Sequence, residues 1–224
     1  MFEIARQKYD LSKQYQMPLS QTIPIPGGTA YLWKIEETEQ RLLELVALNV
    51  FEKQLLAEKK HPTHRQSFLA VRALLAQVGC RAALTYDALG APLLDNGQHI
   101  SISHSQQYAA LVMADHPVGI DVEAHREKII KIAPRFLHSS ECFAKSVSEL
   151  TQIWTAKEAL YKVLRTPGIH FADQLQIAPC RPSDKNGQAQ VFFNHHKSAF
   201  SLTFINNIPN YHASIAYPKS KYSL

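Results

Sequence analysis

Apolar residues recur along this chain with two periods. After Thr38-Glu39, the residues Leu42, Leu43, Leu45, Val46 and Leu48 fall on one helical face, and Phe51, Leu55 and Leu56 continue the period across a bend. His61-Pro62-Thr63 interrupts it, and Thr63 is placed to cap a second helix that carries Phe68, Leu69, Val71, Leu74, Leu75 and Val78 and closes at Gly79. A third helix is predicted over Val147 to Leu164, with Leu150, Ile153, Trp154, Leu160, Tyr161 and Leu164 as its buried stripe. Between the second and third, Ile129, Ile130 and Ile132 form a short amphipathic segment ended by Pro134, and Ser139 or Ser140 is placed to cap a helix beginning near Glu141.

The other period is two. Thr22 to Ile25 and Thr29 to Ile35 read as short strands around Gly27-Gly28. His99 to Ser103 alternates, which predicts Ile100 and Ile102 inward, Ser101 and Ser103 outward, and His104 and Ser105 just past the strand end. Tyr86 to Gly97 reads as a turn-rich connection, and Tyr108 to Ala114 is a nearly continuous apolar strand. In Pro117 to Glu123, alternation sends Val118, Ile120 and Val122 to one face and Gly119, Asp121 and Glu123 to the other. Phe171 to Ile177, Ala189 to Phe193, Ala199 to Ile205 and His212 to Tyr217 complete an antiparallel set, with His195-His196 in a solvated turn and K-S-K-Y-S-L as a frayed tail. The pattern predicts an α+β protein.

At 224 residues the chain can bury a full core as one large domain or two small ones. The formal net charge of +5 suits a polyanionic ligand or an acidic protein partner. Basic residues are dispersed and no zinc-finger spacing occurs, which argues against a specific nucleic-acid reader. Cys80, Cys142 and Cys180 are too scattered for a disulfide framework or a metal cluster, as in a reducing compartment. The first residues lack an apolar run and no stretch reaches membrane-spanning length, so the expectation is a cytoplasmic protein with no signal peptide and no membrane partner.

Asp121 and Glu123 on one strand face repel each other unless a cation or a shared proton answers them. A solvated acidic edge is one reading. The other joins them to Glu158, which with Lys162 forms an i,i+4 pair bordering the apolar stripe of the long helix, either an ordinary exposed pair or a third acid and a cation for a phosphate. Mg²⁺ favours one or two carboxylates plus substrate phosphates and water, while His104, Arg65, Arg72, Lys157 and Lys162 offer positive or hydrogen-bonding groups. Arg65 and Arg72 lie two helical turns apart, either on a solvated basic face or turned toward phosphates. No G-x-x-x-x-G-K-[ST], H-E-x-x-H or G-x-S-x-G occurs. The residues alone point to a magnesium-dependent phosphate or pyrophosphate enzyme.

I-S-I-S-H-S at Ile100 to Ser105, V-G-I-D-V-E at Val118 to Glu123 and W-T-A-K-E-A-L-Y-K at Trp154 to Lys162 resemble the signature blocks of the 4'-phosphopantetheinyl transferases. Length and layout are similar to the monomeric, surfactin-synthetase-activating branch. The resemblance implies a pseudo-twofold pair of similar α+β subdomains with antiparallel sheets, residues 1–116 and 117–224, and coenzyme A in the cleft between them. It implies Mg²⁺, or Mn²⁺, held by Asp121, Glu123 and Glu158. It implies Glu158 as base, Lys162 on the pyrophosphate, His104 with Ser103 on a phosphate, Arg65 on the 3'-phosphate of the nucleotide and more loosely Arg72 there, with Lys157 nearby. The substrate partner so implied is an acidic acyl or peptidyl carrier protein, docking near the segment after Glu123, with Phe136 and Leu137 as candidate contacts. Where the family often has Gly-Lys-Pro this chain has Gly90-Ala91-Pro92, which removes one cation, and Lys59, Lys60 or Arg81 are candidates to replace it. R-T-P-G at Arg165 to Gly168 replaces a glycine-rich segment. The alternatives are another Mg²⁺-dependent phosphohydrolase, or a protein that binds coenzyme A or a carrier without turnover.

Overall fold

The computed structural model describes residues 19–219; the expectations of no N-terminal signal and a frayed tail lie largely outside the described residues. The architecture is α+β, built on two larger antiparallel sheets. Strands β1 (Leu19–Ile25), β2 (Gly28–Lys34), β5 (His99–Ser105) and β6 (Tyr108–Ala114) form one sheet in the order β1-β2-β6-β5. Strands β7 (Gly119–Ala124), β8 (Leu175–Ile177), β9 (Asn186–Phe193), β10 (His196–Ile205) and β11 (Tyr211–Pro218) form the other, in the order β7-β11-β10-β9-β8. A separate hairpin of β3 (Leu84–Tyr86) and β4 (Pro92–Leu94) occupies the segment predicted to be only turn-rich.

Three helices lie beside the first sheet: α1 (Glu39–Leu45), α2 (Val50–Glu58) and α3 (Pro62–Gln77). The bend after Leu48 is a true break, because Asn49 caps α2 through a reciprocal pair of hydrogen bonds with Glu52. Helix α3 starts two residues earlier than predicted. Pro62 occupies its first turn, where a missing N–H is harmless, and His61 rather than Thr63 is the cap. Trp33, Leu69, Leu74, Ile100 and Leu111 fill the core between α3 and the sheet.

In the second half, α4 (Lys128–Ile132) precedes two 3-10 turns, Ala133–Arg135 and Ser139–Glu141, the latter capped by His138 in place of the predicted serine. Helix α5 (Val147–Leu164) has the predicted bounds, opened by a Ser146/Glu149 capping box. A single turn, α6 (Phe171–Gln174), takes the start of the segment predicted as strand, leaving only β8. Leu150, Ile153, Leu160, Phe200 and Leu202 pack α5 on the second sheet.

The apolar face of β7 meets the first sheet: Val118, Ile120 and Val122 pack with Leu32, Ala110, Val112 and Ile215 in a third core. Strands β5 and β7 are thus edge strands of different sheets that face each other. They share no backbone ladder. Serine hydroxyls of β5 join them instead, as Ile120 N–H donates to Ser101 Oγ at 3.1 Å and Val122 N–H to Ser103 Oγ at 3.2 Å. Ser101, Ser103 and Ser105 are therefore buried, contrary to the outward placement expected from alternation, and Ile102 and His104 take the more open face.

Candidate active site

The seam between β5 and β7 carries the acidic set. Asp121 and Glu123 follow Gly119 on the face of β7 that meets α5. That approach requires glycine: a Cβ at Gly119 would lie 2.0 Å from the carbonyl oxygen of Ala159. The close packing brings Glu158 and Lys162 of α5 over the strand. Asp121 is buried, with Oδ1 accepting from Ser103 Oγ at 2.8 Å and from Lys162 Nζ at 2.8 Å. Glu123 accepts from Ser105 Oγ at 3.0 Å. The sequence placed Ser105 past the strand end; it lies inside β5 and holds the second carboxylate.

Lys162 Nζ also donates to Ile120 O of β7 at 2.9 Å and to Ile102 O of β5 at 3.3 Å. Its three N–H donors thus straddle both sheets and Asp121. Glu158 lies within electrostatic reach of Asp121, Glu123 and Lys162. Burial, then the charges of Asp121 and Glu123, push its carboxyl up to about 7, against a smaller opposing pull from Lys162. Glu123 is also raised, first by burial and then by Asp121. His104 opens to solvent at one edge, yet desolvation by its surroundings, followed by Lys162, His64 and Lys59, holds its imidazole below the ordinary value. Lys59, named above as a candidate cation, and His64, which sequence reasoning missed, therefore border the site.

Two observations bear on a metal. Asp121 Oδ2 is buried without a hydrogen-bond partner, and Glu158 is held toward its neutral form first by burial and then by the charge of Asp121. Both describe a site short of positive charge. Yet no three His, Cys, Asp or Glu side chains among the described residues are arranged to hold a metal ion as they stand. Mg²⁺ draws much of its coordination from substrate phosphates and water, so a small protein share fits it.

Three expected cofactor contacts are engaged elsewhere. Arg65 forms a bidentate pair with Glu39 through Nη2 at 2.7 Å and Nε at 2.9 Å, and binds Leu56 O at 2.8 Å. Arg72 is buried against the Phe68 ring at 3.4 Å and pairs with Glu52 at 3.2 Å. Both guanidiniums tie helices together rather than reach a ligand. Lys157 is fully buried and paired with Glu141 at 2.7 Å, with further bonds to Phe136 O and Phe171 O. Burial pulls its ammonium below the ordinary value and the Glu141 carboxylate restores part of that shift. One position along the helix separates this internal ion pair from a residue of the site. Phe136 is likewise core, packed on Trp154, and is no docking contact.

A cavity of about 310 Å³ opens beside Lys162, walled by Ile100, Ile102, Ala91, Pro92, Tyr161 and Arg165. A larger, more open one of about 580 Å³ lies beyond the other end of the acidic set, lined by Gln66, Gln106, Gln107, His125 and Asn210. The acidic set sits between them.

The site thus consists of a strand carboxylate pair, a glutamate and lysine one helical turn apart, and flanking clefts. Residues 117–216, from β7 through most of β11, match the family model of the 4'-phosphopantetheinyl transferase superfamily. Asp121, Glu123, Glu158 and Lys162 all fall within the matched residues. Among curated proteins, the chain is similar to the 4'-phosphopantetheinyl transferase gsp of Aneurinibacillus migulanus, with 37% identity over 82 residues. That match covers 34% of this chain and 35% of the relative, about a third of each. No helix among the described residues is long and apolar enough to cross a membrane.

Proposed function

We propose that this protein transfers the 4'-phosphopantetheine group of coenzyme A to a serine hydroxyl of an acidic acyl or peptidyl carrier protein, releasing adenosine 3',5'-bisphosphate. The observation that carries this reading is the geometry of the seam: Lys162 spans both sheets and Asp121, Asp121 Oδ2 is left unpartnered, and Glu158 stands beside them as the carboxyl placed to accept a proton. The serine oxygen attacks the pyrophosphate phosphorus nearest the pantetheine arm. An O–P bond forms to serine, the P–O bond to the bisphosphate breaks, and Glu158 takes the serine proton. Lys162 and His104 face the phosphoryl oxygens; Lys162 gives up its 3.3 Å bond to Ile102 O first, the longest of its three. Ser103 and Ser105 orient the strand carboxylates.

Asp121, Glu123 and Glu158 would hold Mg²⁺, or Mn²⁺ in its place. When bound, the ion neutralises charge on the pyrophosphate. The orphaned Asp121 Oδ2 supports that assignment. The division at 116/117 falls between β6 and β7, and two sheet-and-helix halves around one seam suit the monomeric surfactin-synthetase-activating branch. For the carrier, Arg126, Lys128, Lys131 and Arg135 are exposed around Ile130, itself 51% exposed, in the segment after Glu123. A basic surface with an apolar centre suits an acidic helical partner.

The test is intact-mass measurement of apo carrier proteins incubated with this protein, coenzyme A and Mg²⁺, with a chelator control. A gain of one phosphopantetheine only when metal is present supports the reading. No gain on any carrier while coenzyme A binds moves the assignment to a binding protein without turnover. Glu158→Gln is expected to lower the rate by about 10²-fold or more, and a loss under about tenfold removes Glu158 as the base.

A further inference from the structure

Helix α5 carries Glu158 and Lys162, yet the strand pair beneath it offers little that would hold it in register. Gly119, Asp121 and Glu123 of β7 lie opposite Ala216, Ser214 and His212 of β11, and alternation puts all six on the face toward α5. Only Ala216 of the six joins the apolar core around α5. Gly119 meets the Ala159 carbonyl with no side chain to resist sliding.

Polar bonds take over that task. Ser148, Thr155 and Lys162 are spaced by seven residues, about 20° short of two full turns, and so follow one line along the helix. Ser148 Oγ lies 2.9 Å from His212 Nε2, Thr155 Oγ1 lies 2.7 Å from Ser214 Oγ, and Lys162 Nζ donates to Asp121 Oδ1 at 2.8 Å. The middle contact is fully enclosed, with Thr155 and Ser214 both at 0% exposure. Thr155 donates its single hydroxyl proton to Gln152 O at 3.0 Å. Ser214 is therefore the donor of the 2.7 Å bond and Thr155 Oγ1 its acceptor. Among the described residues Ser214 Oγ has no other partner.

This bond sits where it governs the acidic set. Ser214 stands opposite Asp121 in the ladder, and Glu158 follows Thr155 by about one helical turn. The Glu158 carboxyl itself takes no hydrogen bond from any described residue; its surroundings act on it through burial and charge. Its place over the strand is therefore inherited from the position of the helix. Lys162 can follow its partners with a long, flexible side chain, whereas the shorter Glu158 cannot.

We propose that the buried hydroxyl pair of Thr155 and Ser214 pins the register of α5 on the β7–β11 strand pair, which makes both residues positioning residues for Glu158 in the transfer. This rests on the transferase reading above. A base must stand within hydrogen-bond reach of the proton it takes, and a displacement of about 1 Å costs about 10²-fold in rate. A loosened register leaves both cavities in place, so it lowers turnover and spares coenzyme A binding.

The experiment measures kcat and KM for transfer to apo acyl and peptidyl carrier proteins, together with the melting temperature, for the full-length wild type, Thr155→Val, Thr155→Ser and the double variant Thr155→Val/Ser214→Ala. Thr155→Val strands the buried Ser214 hydroxyl and is expected to melt lower than wild type. The double variant removes both hydroxyls, and exchanging both partners for apolar groups is close to neutral, so its melting temperature returns to near the wild-type value. Turnover does not return with it. In both valine variants kcat stays about tenfold or more below wild type with KM for coenzyme A within about threefold, while Thr155→Ser keeps the bond and holds kcat within about threefold. Recovery of kcat along with the melting temperature in the double variant overturns the proposal and leaves the pair a stabilising contact only. Wild-type kcat in Thr155→Val, or a loss confined to KM, overturns it as well. Wild type that transfers phosphopantetheine while the double variant turns over normally leaves the function standing and rejects the pin alone; wild type that modifies no carrier rejects both.

Discussion

Replacing Glu158 by Gln is expected to stabilise the metal-free protein at the same time as it stops transfer. Glu158 is held at about 7 in the folded state, against 4.5 when free of the site. One unit is worth 1.36 kcal/mol, so the ionised side chain opposes folding by at most about 3 kcal/mol; partial solvation reduces this to about 1–2. The sign follows from proton binding. Below about pH 4.5 the carboxyl is protonated both folded and unfolded and carries no penalty. As pH rises through the interval up to 7, the unfolded chain releases its proton first, and stability falls until the folded group has ionised as well. Glutamine never ionises. In thermal melts with chelator at about pH 8, Glu158→Gln should melt higher by roughly 2–8 °C, taking about 2–4 °C per kcal/mol for a chain of this size, and the gain should vanish near pH 4. Added Mg²⁺ should raise the wild type more than the variant and narrow the gap. An equal or lower melting temperature for the variant at pH 8, or a gain of the same size at both pH values, would refute the account of Glu158 as a carboxyl raised by burial and then by its acidic neighbours.

Other perturbations test the scaffold of the site. Gly119→Ala puts a methyl group 2.0 Å from the Ala159 carbonyl and should lift α5 off β7; transfer should drop by about 10²-fold or more, and retention of wild-type activity would show that the approach is not required. Lys157→Met strands Glu141 as a buried unpaired carboxylate and should destabilise by about 3–5 kcal/mol in urea unfolding, whereas the paired change with Glu141→Gln should recover much of that loss. Ser103→Ala removes the hydroxyl bonded to both Asp121 and Val122 N–H; a loss of about 1–3 kcal/mol is expected, and an unchanged urea midpoint would discount that hydroxyl as a tie between the halves.

The long helix was legible because its apolar residues recur at helical spacing from Leu150 to Leu164, although Tyr161 of that stripe is 39% exposed, and β7 because its alternation is strict. Those two readings leave Asp121, Glu123, Glu158 and Lys162 either solvated or joined in a site, and the resemblance of the three sequence blocks is what nominated them together. What periodicity does not carry is the partner of a polar group. Ser101 and Ser103 alternate like solvated positions, yet they are buried because an edge strand 18 to 19 residues away needs its amides answered. Arg65 and Arg72 look free in sequence; their carboxylate partners lie 26 and 20 residues distant. Lys157 and Lys162 belong to one motif, but five residues at 100° each turn them to different surroundings. Arg165 stands where a glycine-rich segment is usual, and it takes the left-handed conformation, with φ at 50°, that composition does not reveal.

The serine stitching of β5 to β7 also governs how the molecule meets other chains. A strand edge with open amides is a template on which a foreign strand can grow. Here the Ile120 and Val122 N–H groups are occupied by hydroxyls, which terminate the hydrogen-bond pattern instead of propagating it. The same stitches are individually worth only about 1 kcal/mol and can be exchanged for water, unlike a continuous ladder. The seam is thereby closed to strand-on-strand aggregation although no ladder joins its two strands, and the floor beside the acidic set is not a bare sheet edge.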